Sequence, residues 1–196
     1  MWPVIFEFAE TSLAVIFCGL AIKLTDDWID QEEDKLAGQK NWAAIIGMGT
    51  MLYAILLLIL AAAIRAEVSL PLFLASYVVG MFHDLTSQFP LGLSGWQESL
   101  VIFIISILFF GFEVTVFSLF FITAVQFFDD WYDLRSDLMG GQRNYAVRLG
   151  KMECFLLGTL SLFAACWIKE ILFYPVLTGT VIVFFALETG LVKCND

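Results

Sequence analysis

Charged residues are scarce in this chain, at 15% of its 196 positions, and histidine occurs only once. Hydrophobic residues make up 60% of the chain, well above their share in a soluble globular domain, which excludes that class. The apolar runs lack the two-residue alternation of barrel strands, and several approach the roughly 20 residues that a helix needs to cross a bilayer. The composition therefore predicts an integral membrane protein made of helices, surrounded by membrane lipids.

Basic residues are half as numerous as acidic ones, ten against twenty, and the net charge of −10 argues against a nucleic-acid partner. No basic segment precedes the first apolar run, so this run is interpreted as a retained helix and not as a signal peptide. Cysteine is also sparse, and the four cysteines lack the spacing of a zinc site or a disulfide framework. They are Cys18, Cys154, Cys166 and Cys194.

Half of the acidic residues lie in two short segments, 26–34 and 129–137, which belong to an internal repeat. The stretch "LTDDWIDQEEDKLAGQKNWAAIIG" from Leu24 aligns without a gap on "FFDDWYDLRSDLMGGQRNYAVRLG" from Phe127, with ten identities in 24 positions. This duplication predicts two parallel halves, about 1–100 and 101–196, related by an axis along the membrane normal.

The predicted fold class is all-α, a polytopic membrane bundle of about seven transmembrane helices in a single domain over 1–196. The spans are predicted at 3–24, 42–65, 67–83, 97–110, 112–128, 144–168 and 170–192. The run from Leu100 to Phe128 is long enough for one tilted helix or for two helices that turn near Gly111. Two helices are predicted, because cooperating motifs must face the same membrane side and therefore need an even number of crossings between them.

The basic residues follow this topology. The side that bears both acidic segments holds eight of them, whereas the other side holds only Arg65 and Lys169. By the positive-inside rule, the acidic segments face the cytoplasm and the N-terminus lies outside, which predicts a location integral to the cytoplasmic membrane.

Each acidic segment has the pattern DDWxDxxxD and is predicted to extend the preceding span as a helix. At 100° per residue, its four aspartates fall within about 100° of one helix face. Like charges about 6 Å apart at an effective dielectric near 20 repel by roughly 3 kcal/mol a pair, so this face needs a counter-charge. Carboxylates without histidine or cysteine favour Mg²⁺, which usually binds one or two carboxylates together with phosphate oxygens. The predicted metal ligands are Asp26, Asp27, Asp30, Asp34, Asp129, Asp130, Asp133 and Asp137.

Two facing metal clusters would hold a diphosphate, and nearby basic residues would add positive charge. The predicted substrate-binding residues are Lys40, Asn41, Arg135, Arg143 and Asn144, with Arg148 as a further cation. Two other interpretations stay open: solvated loops whose charges set the topology, or the ion site of a channel. The second would use ionisable groups deeper in the spans, for which Glu10, Glu113 and Glu188 are the candidates.

The two acidic segments resemble the aspartate motifs of the UbiA superfamily of intramembrane prenyltransferases. The resemblance rests on "DDWIDQEED" and "DDWYDLRSD", each followed by a Gly-Gln-basic-Asn tail and separated by about four spans, as in that family. It implies a central cavity, Mg²⁺ between the two motifs, and an isoprenyl diphosphate whose prenyl group passes to a lipophilic acceptor. In these terms Asp30 and Asp133 are catalytic, because they hold the metal that stabilises the leaving group.

The chain also departs from the family pattern. The family has about nine spans and nearly 300 residues, and its first motif begins with Asn-Asp and precedes an Arg-Pro element, where this chain has Asp26-Asp27 and Lys40-Asn41. A Tyr-x-x-x-Lys element is absent from the loop "MFHDLTSQFPLGLSGW". The acceptor therefore stays open, as do a membrane terpene cyclase, an inactive binder of lipid diphosphate, and a transporter.

His83, the only histidine, ends the third predicted span and precedes Asp84. A His-Asp pair facing the cavity is predicted to act as a base toward an acceptor hydroxyl or in a terminating deprotonation. The alternative is an interface histidine with a satisfied hydrogen bond. Trp28 and Trp131, which follow the aspartate pairs, are predicted to anchor the helices at headgroup level.

Overall fold

The structure is a computed structural model that describes residues 2–37, 41–81, 92–135, 138 and 144–188. Its described residues form an all-α bundle, which confirms the predicted fold class. The helices are α1 (Trp2–Ile29), α2 (Gln31–Ala37), α3 (Trp42–Ile46), α4 (Thr50–Gly80), α5 (Gly95–Phe110), α6 (Phe112–Tyr132), α7 (Tyr145–Leu149), α8 (Lys151–Ile168) and α9 (Glu170–Glu188).

Within the described ranges, five helical segments are long and apolar enough to cross a membrane. They are Val4–Ile29, Trp42–Gly80, Phe112–Tyr132, Lys151–Ile168 and Glu170–Leu187, and Gly95–Phe110 is a shorter apolar helix. The second segment contains a break at Arg65, whose φ of −148° and ψ of 79° are not helical. The span predicted from 144 is wrong at its start, because the short helix α7 ends at Leu149 and the membrane-crossing helix α8 begins at Lys151. The span predicted from 42 begins with the described segment, in which the short helix α3 precedes α4.

The chain reverses its direction at the break at Arg65, so α4 crosses the bundle twice. The Cys18 thiol of α1 donates a hydrogen bond to the carbonyl of Ser69 at 3.2 Å, so the part after the break returns alongside α1. A second reversal lies at Gly111, where a φ of 86° ends α5 and lets α6 begin. The predicted division of the 100–128 run at this glycine is therefore confirmed.

Both acidic segments consequently lie at the same face of the bundle. From the end of α1, the two parts of α4, then α5 and then α6 make four crossings before the second segment is reached. The buried Glu98 at the start of α5 accepts a hydrogen bond from Tyr77 near the end of α4, which places these two ends together. At the opposite face, Lys169 and Glu113 form an ion pair of 2.9 Å.

The repeat extends beyond the aspartate segments. Lys169, between α8 and α9, has a φ of −144° and a ψ of 72°, close to the values at Arg65. Pro71 and Pro175 each follow these breaks by six positions and lie inside α4 and α9. These pairs are related by an offset of 104 residues, one more than the aspartate segments, so the second half contains one additional residue between Gly150 and Lys169.

The last helix of each half packs against the first helix of the other half. Helix α1 packs against α4 of its own half and against α9 of the other, and α6 correspondingly packs against α8 and α4. Small residues allow close approach: a Cβ added to Gly179 of α9 would lie 2.7 Å from the backbone oxygen of Ser12 in α1. The shared core contains residues from both halves, namely Val15, Cys18, Ala61, Val68, Leu72, Phe117, Phe121, Ala165, Phe173 and Val176.

Large apolar side chains cover the outside of the bundle. Trp167 and Ile171 are each 92% exposed, whereas many interior positions are alanines. This distribution suits a lipid environment, in which helices associate through close packing of small residues and not through removal of large ones from water.

Candidate functional site

Each aspartate segment begins inside the last turn of a long helix. The amide of Asp30 donates to the carbonyl of Asp26 at 3.0 Å, and that of Asp133 donates to Asp129 at 2.9 Å. In the first segment a bend at Asp30 separates α1 from α2, but the amide of Asp34 still bonds to the Asp30 carbonyl at 2.9 Å. The predicted helical extension is therefore present in the first segment, with an interruption at Asp30, and in the second segment it is described as far as Arg135.

The second aspartate of each pair binds the chain where it returns toward the bundle. Asp27 and Asp130 are only 2% and 5% exposed. One carboxylate oxygen, Oδ2, accepts a backbone hydrogen bond in each case, from Trp42 to Asp27 at 2.9 Å and from Tyr145 to Asp130 at 2.7 Å. The same bond at equivalent positions means that both halves fold their returning segments in the same way.

The asparagine of each tail completes this connection. The side-chain amides of Asn41 and Asn144 donate to the backbone carbonyls of Asp27 and Asp130, at 2.6 and 2.8 Å. Their side-chain oxygens accept backbone N–H groups at the starts of α3 and α7, which is the standard role of an N-cap. Both asparagines are buried, so the two predicted substrate-binding residues cap helices in this structure.

The two halves differ in the partner that the second carboxylate oxygen of the buried aspartate contacts. Oδ1 of Asp27 forms an ion pair of 3.0 Å with the ammonium of Lys23, one helical turn earlier. Oδ1 of Asp130 instead accepts a hydrogen bond of 2.9 Å from the side-chain amide of Gln126, at the equivalent position of α6. One turn before its buried aspartate, motif 1 (residues 26–34) thus has a cation where motif 2 (residues 129–137) has a neutral amide.

The two motifs approach each other through their first aspartates. Asp129 interacts electrostatically with Asp26 and with Lys23, in addition to its neighbours in motif 2. Lys23 in turn interacts with Asp26, Asp27 and Asp129. Asp26 is exposed, and Asp129 is partly buried. The charges of both halves therefore belong to one electrostatic cluster.

The donor set of this cluster fits Mg²⁺ only in part. No group of three or more Asp, Glu, His or Cys side chains that could hold a metal ion occurs within the part of the chain that the structure describes. Each motif nevertheless has two aspartates one turn apart, Asp26 with Asp30 and Asp129 with Asp133, and Mg²⁺ takes one or two carboxylates when phosphate supplies further oxygens. The arrangement fits an ion that binds together with a diphosphate.

Several predicted residues lie outside the described residues. These are Asp137, Lys40, Arg143, His83 and, in side-chain position, Glu188. Among the described basic residues, Arg135 and Arg148 are exposed near motif 2. The ammonium of Lys151 lies 5.0 Å from the ring centre of Trp131, a cation-π contact.

Tyr145 interacts electrostatically with the buried Asp130 and with Arg148. Its partial burial and the nearby charge of Asp130 raise the pKa of the Tyr145 phenol, and Arg148 opposes that rise. The phenol therefore stays protonated through the neutral range and keeps its hydrogen-bond donor beside motif 2.

An apolar cavity of about 330 Å³ opens beside motif 1. Its wall is formed by α1, α3, the start of α4 and the end of α9, and Lys23 is its only charged residue among those described. The lining residues are Leu20, Lys23, Leu24, Trp42, Ile46, Tyr53, Leu57 and Leu187. Its size falls at the lower end of the range for ligand pockets.

No protein-family model, no curated protein and no solved structure matches this chain.

Sequence reasoning assigned Lys23 only to membrane topology and did not consider Gln126. A signal was available in the helical periodicity: Lys23 precedes Asp26 by three residues and Asp27 by four, which places it on the same helix face. That Lys23 also interacts with Asp129 required the packing of the two halves.

Proposed function

We propose that this chain is a Mg²⁺-dependent intramembrane prenyltransferase, which transfers the prenyl group of an isoprenyl diphosphate to a lipophilic acceptor. The observation that carries the proposal is the meeting of two aspartate motifs, each held to its returning chain by an equivalent hydrogen bond, at one end of an apolar helical bundle. Their resemblance to the UbiA superfamily supports the same assignment.

In this proposal the two pairs of exposed or partly buried aspartates, Asp26 with Asp30 and Asp129 with Asp133, hold the metal and the diphosphate. Mg²⁺ bound there would neutralise the charge that develops on the diphosphate as the allylic bond breaks. The buried Asp27 and Asp130 keep the two motifs in position through their bonds to the returning chain.

The prenyl tail needs an apolar space that reaches the aspartates. The cavity beside motif 1 meets this requirement, because leucine, isoleucine and aromatic side chains form most of its wall and Lys23 lies at its charged end. An amphiphile with an anionic head and an apolar tail is the ligand class that this combination favours.

We also propose a location in the cytoplasmic membrane, with the motifs toward the cytoplasm. The described basic residues at the motif face are Lys23, Lys35, Arg135, Arg148 and Lys151, and those at the opposite face are Arg65 and Lys169. This asymmetry supports the orientation by the positive-inside rule.

The test is pyrophosphate release from geranyl, farnesyl and geranylgeranyl diphosphate by the purified chain in detergent, with and without Mg²⁺ and with extraction of the products. Transfer predicts Mg²⁺-dependent release that depends on an added quinone precursor or lipid acceptor. Release without acceptor, together with a cyclic hydrocarbon, would identify a terpene cyclase instead. No release in any combination would contradict an enzymatic role.

Two variants test the site within that assay. Asp30→Ala and Asp133→Ala should each abolish metal-dependent diphosphate binding and leave the helical content unchanged, since each removes a charge from a repelling cluster. Glu113→Ala, at the opposite face, is the matched control and should retain binding. Unchanged diphosphate binding in either aspartate variant would contradict the two-motif site.

A further inference from the structure

Two exposed cations of the second half have apolar counterparts in the first half. Arg148 lies in α7 and Lys151 begins α8, on either side of the turn at Gly150. The equivalent positions, 103 residues earlier, are Ile45 and Met48, which are likewise exposed. The outer surface of the second half is therefore basic where that of the first half is apolar.

The two cations lie at the boundary between the apolar bundle and the headgroups of a membrane. Lys151 is the first residue of the apolar segment Lys151–Ile168, whose length as a helix is about 27 Å. This length is close to the hydrocarbon thickness of about 30 Å, so Lys151 lies at headgroup level. Its ammonium lies 5.0 Å from the ring centre of Trp131, and tryptophan favours the same level. The Cα atom of Arg148, three residues earlier, lies within about 11 Å of that of Lys151.

The charge of this surface stays positive. Neither Arg148 nor Lys151 forms an ion pair with another described residue. The exposed Glu153 in the first turn of α8 offsets one of the two charges, and the exposed Arg135, one turn after the tryptophan, adds another. Asp130 of motif 2 is buried and accepts hydrogen bonds from its own half, so its carboxylate is occupied within the bundle.

Apolar side chains surround the two cations on the same outer surface. Val147, Leu149 and Met152 lie next to them along the chain and are 46%, 48% and 66% exposed. In a bilayer such side chains contact acyl chains, while long basic side chains reach the headgroups. The surface thus offers both contacts that a phospholipid makes, and its positive charge favours an anionic headgroup.

We propose that Arg148 and Lys151 bind the headgroup phosphate of an anionic phospholipid, whose acyl chains lie against the neighbouring apolar side chains. The equivalent surface of the first half does not bind such a lipid, since Ile45 and Met48 carry no charge. The lipid site uses none of the aspartates of the proposed reaction and does not depend on the proposed function. Each cation near an anionic lipid surface strengthens binding about fivefold, so the loss of both cations removes the preference for anionic lipid.

Quenching of Trp131 by brominated lipid tests the site in the full chain. A variant in which phenylalanine replaces every tryptophan except Trp131 is reconstituted in phosphatidylcholine vesicles that contain a minor fraction of brominated phosphatidylglycerol or of brominated phosphatidylcholine. Phosphatidylglycerol is expected to bind beside Trp131 at least about fivefold more strongly than phosphatidylcholine. Arg148→Ile combined with Lys151→Met, which introduces the residues of the first half, should remove that preference.

The matched control retains only Trp28, the equivalent tryptophan of the first half. It should be quenched equally by the two brominated lipids. Equal quenching of Trp131 by both lipids, or an unchanged preference in the double variant, would overturn the proposal. The same preference at Trp28 would indicate a general attraction of anionic lipid to this face of the bundle and would overturn it as well.

Inorganic pyrophosphate distinguishes a lipid headgroup from a soluble diphosphate as the partner of the two cations. At matched ionic strength it should leave the preference for phosphatidylglycerol unchanged, and loss of the preference would assign the cations to a diphosphate and overturn the lipid site. If the single-tryptophan variants do not fold, native mass spectrometry of the parent and the double variant from mixed micelles of the two lipids makes the same comparison. The parent should retain more phosphatidylglycerol than the double variant, and equal retention would contradict the proposal.

Discussion

The two aspartate motifs have the same backbone connection but a different electrostatic environment. In each half a buried aspartate accepts the amide of the residue after the asparagine, and the asparagine caps the next helix. Around this shared frame, motif 1 contains six acidic residues and is preceded by Lys23, which pairs with its buried aspartate. Motif 2 contains four acidic residues and the exposed Arg135, and the exposed Arg148 lies further along the chain. The duplication has thus preserved the parts that position the chain and changed the charges around them.

This difference separates two roles that the pattern DDWxDxxxD combines. The second aspartate of each pair is buried and engaged by backbone and side-chain donors, so its main effect is on folding. The first aspartate of each pair faces the other half, so its effect is on the site. Variants at equivalent positions of the two halves can measure these roles separately.

The largest loss of stability is expected at the buried aspartates. Asp27→Ala should lower the free energy of unfolding by about 3 kcal/mol, because the Trp42 amide and the partly exposed Lys23 both lose their acceptor. Asp130→Ala should lower it by about 2 kcal/mol, because the Gln126 and Tyr145 donors that lose their acceptor are neutral. Unfolding in detergent, followed by circular dichroism, measures both.

Lys23→Met in the Asp27→Ala background is the control for that pair. It removes the unpaired ammonium and should bring the double variant close to Asp130→Ala. Equal stability of the two single variants would contradict a contribution from the ion pair.

A smaller loss of stability is expected at the contact where the last helix of one half packs on the other half. Gly179→Ala should destabilise by about 2 kcal/mol, since its Cβ would meet the Ser12 oxygen at 2.7 Å and Val15 at 2.8 Å. The position equivalent to Gly179 in the first half, 104 residues earlier, is Ala75. Helix α4 therefore accommodates a Cβ at this position, whereas α9 does not. Thermal unfolding in detergent measures the effect.

Gly158→Ala is the matched control in a neighbouring helix, because the added Cβ would lie no closer than 3.3 Å to side-chain atoms of Phe127 and Phe128. It should change the melting temperature much less than Gly179→Ala. Similar shifts in melting temperature for both variants would contradict an unusually close contact between α1 and α9.

The smallest effect is expected at the cation-π contact of the second half. Lys151 lies over Trp131, whereas the equivalent position of the first half is Met48. Lys151→Met should therefore lower stability by only about 0.5 kcal/mol, the value of such a contact at an exposed site. The fluorescence of Trp131 in a variant whose other tryptophans are replaced by phenylalanine should shift even if stability does not, and an unchanged spectrum would argue against the contact.

Much of the architecture could be predicted from local pattern. The split at Gly111 followed from the length of an apolar run and the need for an even number of crossings, and the structure confirms it. The pairs Arg65 with Lys169 and Pro71 with Pro175 were missed, because the extra residue in the second half shifts them out of an ungapped alignment. Only the shared backbone angles revealed that the repeat continues to the last helices.

The site was predictable only as a set of residues. The pattern indicated eight aspartates on two faces, but it did not tell Asp27 from Asp26, because the difference depends on a backbone amide fifteen residues later. The same holds for Asn41 and Asn144, whose capping role depends on how the chain returns.

The sequence by itself determined that the protein is helical, suited to a membrane and duplicated, because apolar run length and helical periodicity are local properties of the backbone. Only the tertiary structure decided which carboxylates are buried, that Asp26 approaches Asp129, and that Lys23 acts on both motifs. The reason is physical: burial and electrostatic interaction depend on distance in space, and here they join groups about 100 positions apart in the chain.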